Sequence, residues 1–158
     1  MSAALNIAHL VGNRSEGDTD DLRLVLRVHT LGKRVVNQKM LSALGISFSQ
    51  GSALLHLARS PEVSCQELAQ LLGCGASRIS RLIHELEKRR LVESWRDSTD
   101  RRALQLALTP DGAALACRVP AVLRDAEFMV LSVLPDDHRR SLLKFLSRMV
   151  GNMNRFNE

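Results

Sequence analysis

The densest cluster of reactive side chains lies mid-chain, in the run Arg96-Asp97-Ser98-Thr99-Asp100-Arg101-Arg102. Two carboxylates sit three positions apart among three guanidinium groups. Such a set fits a catalytic acid/base pair, a solvated turn, or a cationic finger whose acids brace its arginines. A polar tip between short strand-like runs neither desolvates nor fixes a proton couple, which disfavours the first reading. The thiols and imidazoles offer less. Cys65, Cys74 and Cys117 are widely spaced without a CxxC pair, the pattern of reduced thiols rather than of a disulfide framework. His9, His29, His56, His84 and His138 lack metal-ligand spacing, so no metal site is expected. Nucleophile elbow, P-loop and dinucleotide fingerprint are all missing from the sequence, so neither an enzyme activity nor a cofactor is expected.

The flanking elements say how that cluster is held. "LVESW" and "ALQLALT" read as two short strands, the second with Leu104, Leu106 and Leu108 on one side, which makes "RDSTDRR" a hairpin tip. Ahead of them, a long helix runs from Asp21, with apolar positions at Leu24, Val28, Leu31, Val35, Leu41 and Leu44. Ser47 with Gln50 has capping-box spacing and predicts a helix from near Phe48 to before Pro61. Ser64 with Glu67 repeats the device, and Gly73 suits a left-handed stop after about two turns. The next helix, 75–89, carries an apolar stripe of Ile79, Leu82, Ile83 and Leu86. Ser77, Arg78, Ser80 and Arg81 are its polar candidates. Two short helices joined by a tight Gly-containing turn, the second rich in arginine, form a helix-turn-helix.

After the hairpin, Thr109-Pro110 starts a helix in which Pro120 is expected to produce a kink or break. A last helix begins near Pro135, with a stripe of Leu142, Leu143, Leu146, Met149, Val150 and Met153. The expected fold is mainly α with a small β-hairpin (α+β), a winged helix-turn-helix over 47–109. Residues 1–19 read as a loose arm, and 20–46 with 110–158 as a helical region.

The bulk properties agree. The chain has 158 residues, net charge +5 and a pI near 9.7, which favours polyanionic partners. Aromatic content of 3%, with no tyrosine, argues against carbohydrate sites and against single-strand binding on stacked rings. The absence of a long apolar run predicts no membrane span, and the N-terminus lacks the basic region of a signal peptide, so a cytoplasmic location is expected. Between Ala76 and Arg102, eight Lys/Arg stand against five Asp/Glu, a net of +3.

The order of these features favours double-stranded DNA as partner. A major groove admits one α-helix, where Ser77, Arg78, Ser80 and Arg81 could reach base edges or phosphate. Arg96 and Arg101 on the hairpin could follow the backbone to the minor groove, whose narrowness concentrates negative potential. Asp97 and Asp100 are then internal braces, with Arg102 as the braced arginine and Arg101 pointing outward.

The run "RRLVESWRDSTDRRALQLALTPDGAAL" closely resembles the wing and following helix of the multiple-antibiotic-resistance regulator (MarR) family. The shared pattern is a basic residue, Asp-x-x-Asp-Arg-Arg, an alternating strand, then Leu-Thr-x-x-Gly, here at Arg96, Asp97, Asp100, Arg101, Arg102, Leu108, Thr109 and Gly112. The resemblance covers roughly Asp20 to the C-terminus. It implies a homodimer built from the first helix and the last two. The apolar runs "LRLVLRVHTLG" and "LLKFLSRMV" independently call for partners. It also implies a small lipophilic or anionic effector between the dimer layer and the winged helix, where Arg27, His29, Arg34 and Arg59 are the candidates to meet an anion. One departure is Arg90, where the family commonly has Gly: it must take a left-handed conformation or end the helix differently. The resulting expectation is a dimeric transcription regulator, a repressor, with a winged-helix protein-interaction module as the rival. A thiol switch at Cys74 or Cys65 is a further alternative, weighed against plain packing.

Overall fold

The computed structural model describes residues 20–60, 63–96 and 104–155. Helix α1 (Asp20–Leu44) leads into α2 (Phe48–Arg59), a short strand β1 (Val63–Ser64), α3 (Cys65–Leu71) and α4 (Ala76–Lys88). The hairpin strands β2 (Val92–Arg96) and β3 (Leu104–Leu108) follow, then α5 (Pro110–Leu131) and α6 (Asp136–Asn154). The strands form one antiparallel sheet in the order β1-β3-β2. β1 is absent from the sequence reading, because two residues are too few to show alternation.

The core lies between α2, α3, α4 and the sheet. Leu54, Leu68, Leu86 and Leu106 are fully buried there. Met40 of α1 and Ala116, Val119 and Val122 of α5 join the same cluster. The unit that presents α4 is therefore continuous with the long helices behind it. Both capping boxes form as the spacing predicts. The Gln50 amide donates to Ser47 Oγ (3.2 Å) while Gln50 Oε1 accepts from the Ser47 amide (2.8 Å). Ser64 and Glu67 do the same at α3, and the Ser64 hydroxyl and amide hold the Glu67 carboxyl below its ordinary range.

The expected kink or break at Pro120 needs correction as regards a break. α5 runs unbroken through it for 22 residues. Pro120 removes one backbone donor, but Ala116, Val119 and Val122 are anchored in the core on either side and keep the helix in register.

Two helices end in the same way with different residues. After α3, Gly73 (φ 59°) donates to the Gln70 carbonyl and Cys74 to that of Ala69. After α4, Arg90 (φ 57°) donates to the Glu87 carbonyl and Leu91 to that of Leu86. Each is a left-handed cap with its paired reverse hydrogen bonds, so Arg90 takes the left-handed alternative. A side chain there costs about 1–2 kcal/mol, while glycine loses about 0.5–1 kcal/mol more backbone entropy on folding. Arg90→Gly is thus expected to stabilise the protein by about 0.5–1 kcal/mol, read as a higher midpoint in urea at unchanged m-value.

The N-terminus of α5 is pressed onto that cap. The Thr109 hydroxyl donates to the Arg90 carbonyl (2.7 Å) and accepts from the Gly112 amide (3.0 Å). A Cβ on Gly112 would lie 1.8 Å from the Leu91 carbonyl oxygen. The Leu-Thr-x-x-Gly pattern is therefore a joint between the end of α4 and the start of α5.

Candidate nucleic-acid interface

α4 buries Ile79, Leu82, Ile83 and Leu86 and exposes Ser77, Arg78, Ser80, Arg81 and His84. One face grips the core, which leaves the other free to meet a duplex. Neither Arg78 nor Arg81 forms an ion pair with a described residue. The N-cap is Gly75, which supplies no side-chain bond, so amides of the first turn remain open to an oxyanion. Gly75 was visible in the sequence, where a serine or aspartate would have closed that end, but the sequence reading did not use it.

Three contacts fix α4 to its neighbours. Gln50 Nε2 donates to Glu85 Oε2 (3.0 Å), and Arg89 donates to the Gly45 carbonyl (2.8 Å). The Ser94 hydroxyl of β2 donates to Glu87. The first two tie α4 to the corner between α1 and α2, which is itself closed by the Asn37 carboxamide accepting from the Phe48 amide (2.9 Å). Sequence reasoning missed these links, since partners separated by 35 and 44 positions leave no local pattern.

Arg96 ends β2, exposed and paired across the ladder with Leu104. Asp97, Asp100, Arg101 and Arg102 lie outside the described residues. Val92 and Leu106 of the hairpin are buried, with Leu104 and Leu108 packed against them, so the strands are rooted in the core.

A cleft of about 350 Å³ opens beside α4, between α1, the start of α2 and the α3–α4 turn. Lys33, Arg78 and Arg81 bring positive charge to it against the one carboxylate of Glu85, and Phe48, Leu72 and Leu82 bring apolar surface. None of Arg27, His29, Arg34 and Arg59 lines it: all four are exposed elsewhere on α1 and at the end of α2. Cys74 borders the cleft, and Cys65 is half-buried with Cys74 as a neighbour. Burial, and then the neighbouring Cys74 and Glu87, push the Cys65 thiol above its ordinary range, opposite to what a reactive thiolate needs.

Residues 44–103 match a family model described as "MarR family". The chain is 30% identical over 109 residues to the HTH-type transcriptional repressor Rv2887 of Mycobacterium tuberculosis, covering 69% of this chain and 78% of that one.

The chain belongs to the MarR family.

It is accordingly a winged-helix, DNA-binding transcription regulator. The fold is similar to that of Staphylococcus aureus MepR in a complex with DNA, with a TM-score of 0.73 at 21% identity over 85% of this chain and 99% of that one. It is also similar to the PcaV transcriptional regulator of Streptomyces coelicolor in complex with its natural ligand, with a TM-score of 0.72 at 20% identity over 87% and 98%. Both likenesses extend over most of this MarR-family chain. No helix among its described residues is long and apolar enough to cross a membrane.

Proposed function

We propose that this protein is a homodimeric repressor that places α4 in successive major grooves of a near-palindromic site, with the wing, 96–102, at the flanking minor grooves. The observation that carries this reading is the face of α4: Ser77, Arg78, Ser80 and Arg81 project together, with no described acid pairing the arginines. The dimer reading rests on apolar surface that a lone chain leaves in water. Leu22, Leu24, Leu26 and Val28 of α1 and Phe145, Val150 and Met153 of α6 are each more than half exposed. No described residue of α6 is buried, and its ion pair to α5, Arg139–Glu127 (2.6 Å), is a surface contact worth little. Aliphatic surface on that scale is covered by another chain in stable proteins. A two-fold pair matches half-sites one helical turn apart. The repressor assignment is supported by the relative named as one.

The cleft supports release by a small anionic effector with an apolar body. Such a molecule would meet Lys33, Arg78 and Arg81, drawing the last two away from DNA. The raised Cys65 pKa favours packing over a thiol switch for that residue.

Genomic fragments selected by the purified protein, titrated across salt concentrations, test the DNA reading. Log affinity is expected to fall linearly with log salt, by about 0.9 for each phosphate neutralised, with two chains bound per selected site. Salt-independent binding, or none, would leave the winged helix as a protein-interaction module. A single chain per site would end the dimer proposal.

A further inference from the structure

Glu85 is out of place for a DNA-facing helix. It lies one turn beyond Arg81 and two beyond Arg78 on α4, and all three side chains line the same cleft. Residues four apart on a helix are neighbours, so Arg81 and Glu85 are within natural pairing distance. A carboxylate free to swing would neutralise the arginine that the DNA needs, whether for a base edge or a phosphate. The structure shows no Arg81–Glu85 ion pair; Glu85 Oε2 instead accepts from Gln50 Nε2 at 3.0 Å. Gln50 is only 8% exposed, and its other end is fixed by accepting from the Ser47 amide at 2.8 Å. Its carboxamide therefore has one orientation, with the NH2 facing α4.

We propose that Gln50 is a positioning residue for DNA binding: its carboxamide holds the Glu85 carboxylate against α2 and so keeps Arg81 unpaired. The capping box supplies the geometry. A glutamate at position 50 would close the same box, yet it could not donate to Glu85. Its own charge would push the carboxylate of Glu85 out toward Arg81. The capping box thus admits either Gln or Glu, and the contact with α4 selects Gln. This inference rests on α4 being the DNA-reading element.

The test is a double-mutant cycle of Gln50→Glu and Glu85→Gln in the full chain, probed with random-sequence duplex DNA at several salt concentrations. In the parent protein, Glu85→Gln removes a carboxylate already held back, and affinity is expected to change by less than about twofold. On random sequence Arg81 has no preferred base to read and acts through its charge on phosphate, so Gln50→Glu is expected to weaken binding about tenfold and to lower the salt slope by the loss of that contact in each subunit. Adding Glu85→Gln to it reverses donor and acceptor, keeps the parent net charge, and is expected to restore both affinity and slope. A structural role at the α2 cap would move the thermal midpoint without moving the slope. Equal effects of Glu85→Gln in both backgrounds, or an unchanged slope in Gln50→Glu, overturn the proposal while parent binding leaves the DNA reading standing. Failure of the parent protein to bind duplex DNA overturns both.

Discussion

Replacing Arg78 and Arg81 together by alanine is expected to weaken site-specific DNA binding by about a thousandfold or more, while the chain stays folded. A bidentate arginine–guanine contact is worth about 1–3 kcal/mol of discrimination, and each tenfold is about 1.4 kcal/mol. Two arginines on each of the two proposed subunits make up to four such contacts, about 4–12 kcal/mol together against about 4.2 kcal/mol for a thousandfold, so contacts of middling strength pass the threshold. Stability should hardly change, because both side chains are exposed and neither is paired with a described acid. The measurements are a binding titration against a selected fragment and against a scrambled one, with a thermal melt alongside. If the fragment and its scrambled version lose affinity equally, these arginines are phosphate clamps and sequence is read elsewhere. Should the titration match that of the parent, α4 is not the recognition helix.

The second large effect is expected far from any DNA. Gly112→Ala should destabilise the protein by about 3 kcal/mol, at the upper end of what overpacking costs. The new methyl would lie 1.8 Å from the Leu91 carbonyl oxygen and 2.8 Å from its carbonyl carbon. Those atoms belong to the backbone of the α4 cap and cannot move aside like the tip of a side chain. α5 must back away, stretching the Thr109 hydroxyl bonds to Arg90 and Gly112. Urea unfolding measures the loss. DNA binding at a temperature where the variant remains folded should also drop, because the joint sets α4 and the wing against the helices proposed to pair the subunits. A variant as stable as the parent would mean that α5 sits further from Leu91 than the structure has it.

The elements were legible because their signals are local. Ser47 with Gln50 and Ser64 with Glu67 fix two helix starts within three residues each. The stripe from Ile79 to Leu86 marks the buried face of α4 and so the free face opposite. Leu104, Leu106 and Leu108 mark the rooted side of β3. The lining of the cleft is not local. Arg27, His29, Arg34 and Arg59 have suitable type and rough position for an anion, whereas the positive charge at this cleft comes from Lys33, Arg78 and Arg81. Which cations share a cleft depends on how α1 lies against α2 and α4, a relation that no short window of sequence contains. The apolar positions of α1 show the same limit. Their helical spacing is real, yet Leu24, Val28 and Leu31 are exposed on this chain and Met40 is the fully buried one. Periodicity reports that a face seeks cover, and not what covers it.

By itself, the sequence determined the order of the helices and of the two hairpin strands, the choice of helix endings open to position 90, and the basic character of the helix and wing. Each follows from interactions within a turn or two of chain, where residue type alone sets the energy. Only the tertiary structure decided that Gln50 reaches Glu85, that Gly112 lies against Leu91, and that Lys33 shares a cleft with Arg81. Those pairings join residues 21 to 48 positions apart, and only the packing of one shared core brings them within reach.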